Sequence, residues 1–104
     1  MLGRRGRFDD VISTQLDLFE REHADVIREA QERLELYNAS PRDDAEELYG
    51  DYVDALETGT EILADLRDHF ARTLDEGAAE RYEREFNRAV AKRLAPFALD
   101  IENR

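Results

Sequence analysis

The chain has 104 residues, no cysteine, and a formal net charge of −11 from 26 acids against 15 bases. Its length confines it to one domain. The missing thiols exclude disulfides, thiolate metal sites and cysteine nucleophiles, and the acidic excess disfavours nucleic acid, which is bound by lysine and arginine displacing counterions. No apolar run approaches the ~20 residues of a membrane span and no leader follows the first methionine, so the expectation is a cytoplasmic protein with no membrane partner.

Residues 1–7 (MLGRRGR) read as a flexible basic arm, followed by a single helical domain over 8–95 and a tail over 96–104. From Phe8 to Tyr37 apolar residues recur at helical spacing: Phe8, Val11, Ile12, Leu16, Phe19, Val26, Ile27, Ala30, Leu34 and Tyr37, with His23 in the one gap. That pattern predicts one long amphipathic helix. Asp9 and Asp10 suit the positive end of its dipole, and Asp17–Arg21 and Glu29–Arg33 are i,i+4 pairs in the favourable order.

Asn38-Ala39-Ser40 reads as a tight turn. Ser40 is the expected N-cap and Pro41 the first position of a second helix, running to about Leu74. The inward stripe of this helix is Ala45, Leu48, Tyr49, Tyr52, Leu56, Gly59, Leu63, Leu66, Phe70 and Leu74. Its outer face is anionic: between Asp43 and Asp65 there are nine acids and no base. A turn around Asp75 precedes a third helix over about 76–94, with Ala79, Tyr82, Phe86, Ala89, Val90 and Leu94 inward and Arg81, Arg84, Arg88 and Lys92 outward. Pro96 ends it, and Phe97, Leu99 and Ile101 make an apolar tail. The fold class is therefore all-α: a long antiparallel hairpin (about 8–37 and 41–74) plus a shorter third helix, completed into a bundle by dimerisation.

The dimer is expected because the third helix is too short to cover the whole hairpin. At 1.5 Å per residue it spans about 28 Å, against about 45–50 Å for the hairpin helices. Leu34, Tyr37, Leu48, Tyr49 and Tyr52 fall in the uncovered half, and an exposed apolar patch of that kind marks an interface. The tail is the other candidate cover. Charge adds that Arg81, Arg84 and Arg88 would sit near carboxylates of the second helix, in the same chain or in a partner's.

Chemical motifs are sparse. Glu20-Arg21-Glu22-His23 contains the Glu-x-x-His spacing by which bundle proteins hold a metal. The facing residues of the second helix are Leu56, Gly59 and Leu63, which supply no bridging acid, so Glu20 and His23 remain lone metal candidates and no cofactor is expected. Gly59, flanked by threonines, offers room opposite His23, which predicts a buried or half-buried imidazole hydrogen-bonded to a hydroxyl or to its own helix. His69 reads as a boundary residue beside Phe70. No nucleophile elbow or phosphate-cradling glycine loop is present. The chain is expected to be non-enzymatic, a structural or protein-interaction module forming a homodimer, with a basic protein as a second partner. The alternatives are a ferritin-like metal-binding bundle and an acidic mimic of nucleic acid that binds a basic protein.

Overall fold

The computed structural model describes residues 6–104, and every regular element among them is helical. The basic arm expected over 1–7 lies outside the described residues except for Gly6 and Arg7. Gly6 donates its N–H to Asp9 Oδ2, and the Arg7 guanidinium lies 5.6 Å from the Phe8 ring centroid.

The single helix expected over 8–37 is two helices. α1 spans Asp9–Glu22 and α2 spans Ala24–Asn38, separated by His23 at φ −122° and ψ 34°. No glycine or proline forces the break. It falls in the widest gap of the apolar stripe, between Phe19 and Val26, where leaving helical geometry uncovers little hydrophobic surface. The His23 N–H still closes α1 on Phe19 O, and His23 O accepts the first bonds of α2 from Val26 and Ile27. The two halves then take different partners: α2 lies along α3 (Ala45–Ala71), whereas α1 lies along α4 (Glu76–Arg93).

The turn between α2 and α3 also differs from the sequence reading. Ser40 Oγ donates to Tyr37 O at 2.7 Å, closing the end of α2 rather than capping the next helix. Pro41 is extended (ψ 157°), residues Arg42–Asp44 form a 3₁₀ turn, and α3 begins at Ala45. Asp43, Asp44, Glu46 and Glu47 still surround the N-terminus of α3, where the dipole favours them. At the other end α3 stops at Ala71, three residues before Leu74. Asp75 is the N-cap of α4 and accepts from Ala78 N at 2.9 Å.

The largest fully buried side chains are Tyr82, Phe19, Phe86, Leu16, Leu63, Ile101 and Val90. They come from α1, α3, α4 and the tail, so the core sits at the end of the molecule away from the α2–α3 turn. α4 follows its predicted face closely, with Tyr82, Phe86 and Val90 buried and Arg81, Arg84, Arg88 and Lys92 exposed. On α3 the buried line runs through Leu56, Gly59, Thr60, Leu63, Ala64, Arg67 and Ala71, and Leu66 and Phe70 flank it half-buried. The tail forms two 3₁₀ turns, Ala95–Ala98 and Ile101–Asn103, that fold across α3 and bury Phe97 and Ile101.

The molecule measures 51 × 30 × 21 Å with a radius of gyration of 15.7 Å. A compact domain of this length has about 13 Å, and the excess is the α2–α3 hairpin projecting past the core.

Candidate interaction surface

At the projecting end α2 and α3 carry three tyrosines in series. The ring centroids of Tyr37 and Tyr49 lie 5.2 Å apart and those of Tyr49 and Tyr52 6.3 Å apart, all tilted. Offset, inclined rings of this kind favour one another through their quadrupoles. Tyr49 and Leu36 remain 49% and 50% exposed, while Leu34, Tyr37, Leu48 and Tyr52 are half-buried. The five residues expected at an interface are thus placed together, and four α3 turns separate them from the Arg67 end of the core.

The tail covers part of what the sequence reading left bare. It stops level with Tyr52, and a shallow groove of about 160 Å³ remains between α2, α3 and the tail, lined mainly by Ile27, Ala30, Leu34, Tyr52, Leu94 and Phe97. The carboxylates of the tip lie on the other flank: Asp51 and Asp54 border a hollow shared with Glu29, Arg33, Ala55 and Thr58. One side of the hairpin is therefore aromatic and the other acidic. A second, wider trough between α1 and α3 is lined by Leu18, Leu66 and Phe70, with His69 on its rim and exposed, as expected of a boundary residue.

Glu20 and His23 do not converge. Glu20 accepts from Arg93 at 3.1 and 2.7 Å, Asp17 accepts from the same guanidinium, and the contacts hold the Arg93 pKa above its ordinary value. His23 has left the geometry of α1, so the three-residue spacing no longer aligns it with Glu20. Its ring is half-buried with its centroid 5.5 Å from that of Phe19, in place of the expected hydroxyl partner. Gly59 does receive a ring, but it is Phe97: a Cβ at Gly59 would lie 2.3 Å from Phe97 Cε1. Among the described residues no group of three or more His, Asp or Glu side chains is gathered so as to hold a metal ion.

The residue that sequence reasoning missed is Arg67. It is 4% exposed and donates to Asn87 Oδ1 (2.9 Å), Ile101 O (2.9 Å), Arg104 O (2.8 Å) and Asp68 Oδ1 (2.8 Å), tying α3 to α4 and to the end of the tail. Thr60 Oγ1 adds a bond to Phe97 O. Arg104 extends the clamp over the anionic face by pairing with Glu61, Glu57 and Asp100, and with Asn103 it holds the Asp100 carboxyl below its usual range. The expected ion pairs between Arg81, Arg84 and Arg88 and the α3 acids are not formed among the described residues; Arg104 supplies that contact. The one available signal was the position of Arg67, a turn beyond Leu63 at the spacing of the buried face.

No helix among the described residues is long and apolar enough to cross a membrane. No family model, curated protein or solved structure matches the chain.

Proposed function

We propose that this protein is a non-enzymatic structural or protein-interaction module, cytoplasmic, that self-associates through the aromatic side of its hairpin tip. One observation carries the reading: Tyr49 and Leu36 are half-exposed on a projecting hairpin, with the rings of Tyr37 and Tyr52 stacked beside Tyr49. Tyrosine is enriched at protein interfaces because it adds large contact area at low entropy cost and keeps a polar handle. The acidic flank stays free for a basic protein partner.

Light scattering on a sizing column tests this at two salt concentrations. A wild-type mass near twice 12.1 kDa, falling towards 12.1 kDa in Tyr49→Ser, is the expected result. A wild-type mass that Tyr49→Ser leaves unchanged would overturn the assignment of the tip.

A further inference from the structure

α1 and α2 are one helix interrupted at one residue. The His23 N–H reaches Phe19 O at 2.8 Å, as it would in an unbroken helix, and the apolar stripe resumes at Val26 and Ile27. Three bonds are missing at the bend. Ala24, Asp25 and Val26 do not donate to the carbonyls of Glu20, Arg21 and Glu22, and of the three only Val26 finds a substitute on the backbone, His23 O at 3.0 Å. Arg21, Glu22, Ala24 and Asp25 are exposed, and no glycine or proline stands near. Turning His23 alone, by roughly 60° in φ and 75° in ψ, restores helical geometry. Asp9–Asn38 then becomes a single helix about 45 Å long.

Straightening carries α1 off α4. It leaves as a unit, because its polar contacts converge on that one helix: Tyr82 donates to Gln15 at 2.8 Å, Arg93 holds Asp17 and Glu20, and Glu85 accepts from the Phe8 N–H at 3.0 Å. Ile12, Leu16 and Phe19, all buried, are the apolar part of the same contact. The surface left bare on the core is shaped and charged for one segment above all, another α1 of the same sequence.

We propose that two copies of this chain exchange α1 through a straightened hinge at His23, so that each α1 lies on the partner's α4 about a two-fold axis. Every contact between α1 and α4 in the closed chain is remade between the copies, and each straight helix gains the backbone bonds that the bend omits. Phe19 and His23, four residues apart, stay neighbours on the continuous helix. The exchange goes beyond the tip reading and makes no use of Tyr49. It is slow, since α1 must leave the core before it can be traded. Dilution favours the closed chain, whose α1 is tethered to its own α4.

A crosslink across the α1–α4 contact tests this. The chain has no cysteine, so a pair introduced by Asp17→Cys and Arg93→Cys, whose side chains meet there, is unique. The pair is placed in a Tyr49→Ser background, which takes the tip out of the outcome. The protein is concentrated, warmed to just below its melting temperature, cooled, diluted, joined with a short bismaleimide and run on a denaturing gel. A link within a closed chain leaves a species of 12.1 kDa, and a link between exchanged copies gives one of about twice that mass. The expected result is a double-mass product whose share rises with the concentration during warming. His23→Ala, a better helix former, raises the exchange constant by about tenfold, roughly threefold at each of two hinges. Two glycines inserted after His23 lower it by about tenfold or more. Circular dichroism and melting after cooling establish that each variant is folded. Product at 12.1 kDa alone, at every concentration and with every hinge, overturns the exchange and leaves the tip reading standing. A double-mass product that both hinge variants leave unchanged also overturns it, because the copies are then joined without the hinge. The tip reading falls separately, if wild type and Tyr49→Ser that were never warmed have the same mass.

Discussion

Replacing Gly59 with alanine sets two effects of opposite sign against each other. In an ordinary helix interior the change stabilises by about 1 kcal/mol, because glycine has more backbone freedom to lose. Here the new Cβ would lie 2.3 Å from Phe97 Cε1, 2.6 Å from Cδ1 and 3.1 Å from Cζ. The ring has little room to retreat: it is 3% exposed, packs edge-on to Phe19 at 6.0 Å, and its backbone is held by Leu94 O and Thr60 Oγ1. Overpacking of this kind costs about 1–3 kcal/mol, with expulsion of a buried phenylalanine, about 3–5 kcal/mol, as the ceiling. Gly59→Ala should therefore destabilise by up to about 2 kcal/mol net, lowering the melting temperature by up to roughly 16 °C in a domain of this size. Urea unfolding of both variants and their combination decides the cause. In a Phe97→Ala background the obstruction is gone, and the same Gly59→Ala change should stabilise by up to about 1 kcal/mol. An equal shift in both backgrounds, or a stabilised single variant, would refute the notch.

Arg67→Met removes every donor to Asn87, Ile101 O and Arg104 O, and should cost about 2–4 kcal/mol, with amide exchange accelerating over 97–101 before it does in α4; Arg67→Lys should recover less than half, since an ammonium cannot span the diverging acceptors, and a loss below about 1 kcal/mol would refute the clamp. Tyr82 donates to Gln15 at 2.8 Å, and burial pushes its pKa up to about 12. Its folded value lies above the unfolded value of about 10, so the stability it contributes is present below pH ~10 and is lost as pH rises to ~12, on the order of 2 kcal/mol. Urea midpoints measured across that window should fall in wild type and fall less in Tyr82→Phe; equal slopes would overturn the assignment.

Elements whose signals are local were legible in the sequence. α4 has a cap at Asp75, a clean stripe of Tyr82, Phe86 and Val90, and a proline just past its end, and its bounds came out within a residue. The broken first helix was legible only as a weakness. The stripe thins between Phe19 and Val26, but periodicity cannot say whether a helix bridges such a gap or bends there. That depends on α1 finding its partner in α4, 67 to 76 residues away in Tyr82 to Gln15 and Arg93 to Asp17. The clustering of Leu34, Tyr37, Leu48, Tyr49 and Tyr52 at one end of the hairpin followed from a length argument alone, and lengths survive a bend at His23 because α2 and α3 still run side by side at the tip.

Arg67 and Phe97 were not legible, and they fail for one reason. A buried arginine is read as surface because isolated charge is costly to bury, and it becomes tolerable only when backbone carbonyls arrive from a segment folded back against it. Phe97 and the carbonyls of Ile101 and Arg104 arrive together, on the same ten residues. Gly59 marked the place where something would come close, but its spacing favoured His23, which is nearer in the expected register. What chose Phe97 was the clamp further along: once Arg67 holds the end of the tail, Phe97 is carried over Gly59, and His23 is left beside Phe19 with no call on the notch. The same step settles which half of the hairpin stays bare. A tail anchored at Arg67 spends its residues crossing the Gly59–Arg67 stretch and cannot also reach Tyr49, so the clamp that closes the core is what leaves Tyr49 outside it.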